Sequence, residues 1–252
     1  MIQTTAAQAS KQVIDNISIS NAATSTSKYA SGEFFEFLWR TAGLQFIGLL
    51  VVAYLIFGYQ PGVGASADSL VAFYSANSAR IVISAVFGGL AVLNLMWFAA
   101  ALRTTLEDLG QDGWGAAATA ASAAVGVMLL LIITANAGLA FSIAGSGNNA
   151  FLSGLNDLSW ALLVLSSFPR AMLIMSAVFG FWRAGVISNA LFAIGVGAVV
   201  LGVAGGTTWI GSGAWAPDGI YSRYVWPAVG LASVVFISWI LLKRSPARGA
   251  GW

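Results

Sequence analysis

The stretch Ser153–Arg183, SGLNDLSWALLVLSSFPRAMLIMSAVFGFWR, is apolar and long, yet it carries Asn156-Asp157 near one end and Pro169-Arg170 well inside. A hydrocarbon core of about 30 Å is crossed by about 20 helical residues, so the stretch reads as a transmembrane helix. A charge held in hydrocarbon is costly, which makes an arginine at that depth a candidate functional position that needs a partner. The rest of the chain reads as further membrane segments arranged around this one.

Composition supports that reading. The chain has 252 residues, 58% hydrophobic and 8% charged, with a mean hydropathy of +0.84. Soluble domains carry about 25% charged residues, and a chain this size has too few polar residues to cover several all-round apolar segments. The net charge is +2, but the 11 Lys and Arg mostly stand singly at the ends of apolar runs. No basic stripe with interleaved aromatics appears, so nucleic acid is not an expected partner.

There is no Cys and no His. Disulfides, thiol nucleophiles, imidazole ligands and His-based triads are therefore excluded, and no cofactor or metal site is expected. Met172 and Met175 read as core filler.

Outward from the opening stretch, the sequence gives an all-α polytopic bundle with six spans, at about Leu38–Tyr59, Arg80–Arg103, Trp114–Ile143, Leu152–Phe181, Val186–Ile210 and Tyr224–Leu242. Residues 1–30 read as a flexible cytoplasmic tail, 31–244 as the membrane domain and 245–252 as a short cytoplasmic tail. From Ser31 to Arg40, aromatic residues alternate with Glu33, Glu36 and Arg40, as in an interfacial turn. Pro61-Gly62 stops the first span. Ser66 can cap a short helix over Ala67–Ser75, Asn77 or Ser78 the second span, and Asp112 the third.

Six spans place both termini on one side. Arg40, Arg103, Arg183, Lys243, Arg244 and Arg248 lie on the terminal side, against Arg80 and Arg223 on the other. Positive residues stay inside, so both termini are expected in the cytoplasm of a bacterial plasma membrane. Trp39, Trp114, Trp182 and Trp239 read as one interfacial belt, and Trp209, Trp215 and Trp226 as the other. In the fifth span Ala198, Gly202 and Gly206 recur every fourth residue, a face that lets a second helix approach closely.

The pattern also carries a resemblance. Phe73-Tyr74 with Asn77 and Arg80 opens one span and Leu102-Arg103 closes it. Leu155-Asn156-Asp157 opens another with Phe168-Pro169 midway, and the last ends in Leu241-Leu242-Lys243-Arg244. Over about Ser66–Arg244 this resembles a group of uncharacterised six-span integral membrane proteins frequent in high-GC bacteria. The resemblance implies a fold and a topology, and no activity.

Arg170 lies about 16 residues below Gly154 and Asn94 about 14 below Arg80, roughly 24 and 21 Å down at the helical rise. That similar depth allows an Arg170–Asn94 contact between the fourth and second spans. Arg170 can otherwise snorkel toward the cytoplasmic headgroups, lock the structure, or meet a ligand anion. Asp157 suits a helix start near Asn156, with Arg80 or Arg223 within range. Asn94 and Asn136 read as interhelical hydrogen-bonding groups. No carboxylate stands at mid-depth, and Ser166-Ser167 have no base. The expected function is that of a non-catalytic membrane protein, a scaffold or accessory subunit of a membrane complex with lipid and protein partners. The alternative is binding or transport of a lipid or small lipophilic anion at Arg170, Asn94, Asn156 and Asp157.

Overall fold

Apolar segments in this chain become helices because only a helix satisfies every backbone polar group within one segment when no water is at hand. The computed structural model describes residues 38–244, and among the described residues there is no strand. The expected tail, the interfacial residues before Leu38, and 245–252 lie outside the described residues. The chain divides into two units, 1–39 and 40–252. Of the first, only Leu38 and Trp39 are described.

The second unit carries helices α1 (Ala42–Phe57), α2 (Ala67–Ala76), α3 (Ser78–Asp108), α4 (Asp112–Gly138), α5 (Asn149–Leu165), α6 (Ser167–Arg183), α7 (Asn189–Gly205) and α8 (Trp226–Lys243). A π-helical turn, Leu139–Ile143, extends α4, and another, Tyr221–Val225, leads into α8. Four helical stretches are long and apolar enough to cross a membrane: Ser78–Asp108, Asp112–Ile143, Asn149–Arg183 and Tyr221–Lys243. The first and fifth expected spans are shorter than the sequence suggests. Helices α1 and α7 are apolar but have 16 and 17 residues. At 1.5 Å per residue they measure about 25 Å, short of a 30 Å core.

The expected fourth span lies in one membrane-length stretch, Asn149–Arg183, which is divided at Ser166 into two helices end to end. Pro169, in the first turn of α6, lacks the N–H that would bond the Leu165 carbonyl, and its ring crowds that carbonyl. The caps also differ. Ser66 Oγ accepts from the Ser69 N–H and starts α2, but Asn77 makes no cap, because its amide bonds the Phe73 carbonyl and its oxygen accepts from Arg80. Asp112 lies inside the first turn of α4 rather than ahead of it.

Sequence neighbours are spatial neighbours. Helix α1 packs on α3, α3 on α4, α4 on α6, α6 on α7 and α7 on α8, and α8 returns to α1. At one end Gly180 meets Leu106 and Trp114, so the α3–α4 turn and the end of α6 stand at one level. At the other end Leu70, Tyr74, Ile81, Leu139 and Leu152 form a buried cluster under α2. Trp226, expected in a belt, is instead 1% exposed. Its indole fills the space left by Gly202 and Gly205 of α7.

Candidate functional site

A chain that leaves a helix near a membrane must still satisfy its backbone. The segment Gly58–Ala65 shows how this is done. Gly58 sits at φ +83°, a left-handed conformation that favours glycine, and turns the chain out of α1. Three consecutive carbonyls then accept from side chains of distant elements. Arg223 Nη1 donates to the Gln60 carbonyl at 3.1 Å, Trp160 Nε1 to Pro61 at 2.9 Å, and Asn156 Nδ2 to Gly62 at 3.1 Å. The Gly64 N–H donates to Asp157 Oδ1 at 3.1 Å. Gly62 lies close to the Asp218 carboxylate, which would have to shift to admit a Cβ there.

Beneath this loop the Gln60 side chain enters a neutral polar cluster. Its amide nitrogen lies 2.8 Å from Ser159 Oγ, 3.2 Å from Asn156 Oδ1 and 3.3 Å from Asn136 Oδ1. The Tyr74 hydroxyl donates to Asn136 Oδ1 at 2.8 Å and also lies 3.1 Å from Asn156 Oδ1. Ser159 Oγ donates to the Asn156 carbonyl, and Asn136 Nδ2 to the Ile132 carbonyl. Tyr74, Asn136, Asn156 and Ser159 are all buried. Burial raises the Tyr74 hydroxyl well above the ordinary tyrosine value, with the Gln60 hydrogen bond a smaller opposing effect, so it remains a donor.

Helix α5 is built for this role. Asn156, Ser159 and Trp160 stand at i, i+3 and i+4, one face of one helix. Arg223 closes the other side. Its guanidinium lies 4.2 Å from the Tyr59 ring centroid and 4.4 Å from that of Trp160, and Nε donates to the Asp218 carbonyl at 2.6 Å. The Asp218 carboxylate lies 3.9 Å away. So Asp157 bonds the loop and Asn156, while the two arginines expected within its range bond elsewhere. Arg80 donates to the Ile56 carbonyl and to Asn77.

Deeper in the bundle the arrangement changes. Arg170, half-buried, donates Nη2 to the Leu163 carbonyl at 2.8 Å and to Ser166 Oγ at 2.6 Å, and Nε to the Ser166 carbonyl at 3.2 Å. All three acceptors are neutral. The side chain therefore runs back along the helix toward Asn149, opposite to the cytoplasmic snorkel considered from sequence. The Trp226 ring centroid lies 5.7 Å from its guanidinium carbon. The Arg170–Asn94 contact does not form. Asn94 Nδ2 donates 3.0 Å to Leu90 of its own helix, and α3 barely touches α6. On α7, Gly202 is buried against Trp226 and Ala171 and Ala198 is half-buried, while Gly206, which caps the end of α7, is buried against Phe168.

Sequence reasoning singled out Asn136, Asn156 and Asp157 but missed Gln60, Ser159, Trp160 and the part played by Tyr74 and Arg223. The available signal was the run Tyr59-Gln60-Pro61-Gly62, a long amide among helix breakers. Among the described residues no group of three or more Asp or Glu gathers. No family model matches the chain, and no curated protein or solved structure does.

Proposed function

We propose that this chain is a non-catalytic integral membrane protein, a scaffold or accessory subunit of a membrane complex. One observation carries the reading: the buried polar cluster is engaged with itself. Its amides, hydroxyls, indole and guanidinium, together with Asp157 and Asp218, hold one loop to α2, α4, α5 and the turn before α8. Such a cluster rigidifies an end of a bundle and leaves no acid–base pair to act on a substrate.

Six crossings with both termini in the cytoplasm of a bacterial plasma membrane belong to the same reading, as does the likeness to the six-span group. Arg103, Arg183, Lys243 and Arg244 at one level, against Arg80 and Arg223, support it. The short α1 and α7 cross if the bilayer thins or flanking residues snorkel. Purification in gentle detergent followed by intact-mass analysis tests the function. A second protein in fixed ratio is the expected result, and the chain with lipids alone counts against a subunit role.

A second reading, a site for an anionic lipid or lipophilic anion, is favoured by Arg170. Its three bonds go to neutral oxygens, and among the described residues no carboxylate pairs with it. Melting with and without phosphatidylglycerol, in the parent and in Arg170→Met, tests it. Lipid-dependent stabilisation confined to the parent supports this reading, because a ligand stabilises only a fold that binds it.

A further inference from the structure

Resting on the anion reading of Arg170, we infer that its ligand is the phosphate of a lipid in the leaflet on the Trp226 side, opposite the leaflet at Arg183 and Lys243. The guanidinium does not stand at the depth of its own Cα. It bonds the Leu163 and Ser166 carbonyls, so it is level with the α5–α6 break.

Two helices give the height of that level. Helix α6 has 17 residues, which puts the break roughly 25 Å from Arg183. Helix α8 runs 18 residues from Trp226 to Lys243, which puts Trp226 roughly 25 Å from Lys243. Trp226 stands beside the guanidinium, its ring centroid 5.7 Å from Arg170 Cζ, so the two counts describe one level. Trp182 and Trp239, 39% and 49% exposed beside Arg183 and Lys243, mark one headgroup boundary. A hydrocarbon core of about 30 Å measured from there ends about 5 Å beyond the guanidinium. On that side Phe168 packs against Gly206, and three residues on Trp209 is 42% exposed, a marker of the second boundary. Helix α5 continues past this level, so a position midway along the bundle is still close to a membrane face.

Arg170 has donors to spare. Nε and Nη2 are engaged, but among the described residues Nη1 has no acceptor and the charge no carboxylate. The Trp226 indole N–H, buried in the same place, also has no acceptor. The unmet groups are donors and a positive charge, and an oxyanion complements both. Guanidinium and phosphate match in geometry, two N–H groups to two oxygens. A free phosphate would have to leave water to reach this depth, at a large cost. A lipid phosphate is held at the boundary by its own acyl chains.

Melting of the purified chain is followed with phosphatidic acid, with phosphatidylglycerol, with oleate and with inorganic phosphate. The two phospholipids should raise the melting temperature of the parent, and oleate and inorganic phosphate should not. In Arg170→Met the apparent lipid affinity should fall about tenfold or more, the scale of one charge-assisted hydrogen bond. Arg170→Lys should keep part of it, since the charge stays and the fork is lost. Depth and side are read separately. The chain has no cysteine, so single spin labels report directly. A label at Leu165→Cys, beside the break, should lie shallower than one at Val200→Cys, on α7; the two positions are 42% and 61% exposed. In vesicles of one protein orientation, a photoactivatable phosphatidylglycerol in the Trp226-side leaflet should cross-link to the parent more than to Arg170→Met. Arg170-dependent cross-linking only from the opposite leaflet, or equal depths for the two labels, overturns the leaflet assignment and leaves the anion reading standing. Stabilisation by oleate or inorganic phosphate as strong as by phospholipid overturns the lipid phosphate, with that reading again intact. No anion effect that Arg170→Met removes sinks both.

Discussion

The Gly58–Ala65 end of the bundle and its middle handle polar groups in opposite ways. At the loop end, side chains separated by up to 163 positions converge so that backbone carbonyls, amides and hydroxyls satisfy one another. In the middle, Asn94 turns to an acceptor on its own helix and Arg170 to acceptors just across the α5–α6 break. The first pattern ties elements together. The second joins nothing far apart in the chain: Asn94 bonds within α3, and Arg170 bridges only the break between α5 and α6. The difference teaches that a polar residue in a span is structural when its partners come from distant elements, and available when they come from neighbouring turns.

Replacing Asn156 should show the largest effect. Asn156→Leu removes the donor to Gly62 and the oxygen facing Tyr74 and Gln60. Each orphaned buried group costs about 1–3 kcal/mol, so a loss of about 3 kcal/mol is expected from denaturation in detergent. A change under about 1 kcal/mol would mean that the cluster does not hold the loop. Gly202→Leu tests the same bundle where no polar group is at stake. Its side chain must displace Trp226 and Ala171. Overpacking costs about 1–3 kcal/mol, and a parent-like melting curve would contradict the packing of α7 on α6 and α8.

Tyr74→Phe is expected to cost about 1 kcal/mol, the net worth of a hydrogen bond. It also carries a pH signature. Burial raises the folded-state value above the ordinary 10.0. Below pH 10 both states hold the proton and nothing changes. Above it the unfolded chain releases the proton first, so stability falls as pH rises. Stability curves of Tyr74→Phe should lose part of that alkaline slope, and an unchanged slope would show that Tyr74 is not its source.

Arg170→Met should have the smallest effect on the fold, and this is where the comparison is sharpest. Its acceptors keep other donors: the Leu163 carbonyl retains Ser166 Oγ and the Ser166 carbonyl retains the Arg170 backbone N–H. Stability without added lipid should stay within about 1 kcal/mol of the parent or rise, since a costly charge is gone. A loss of about 3 kcal/mol would move Arg170 into the structural class with Asn156.

The sequence by itself determined that the chain is helical and apolar enough for a membrane, where the loop at Pro61-Gly62 falls, and that Ser66 starts a short helix. These are local properties: hydropathy adds up along a segment, and breakers and caps act on their own neighbours. Only the tertiary structure decided which polar groups meet. A helix apolar all round carries no stripe that says which face turns inward, so packing sets it. Asn136 and Asn156 were legible as polar residues in spans, but their meeting with Gln60, 76 and 96 positions away, was not. Trp226 reads from sequence as an interfacial residue, and becomes core because Gly202 and Gly205 leave room for an indole. Arg170 and Asn94 share a depth, yet do not meet, because α4 stands between their helices in the packing order.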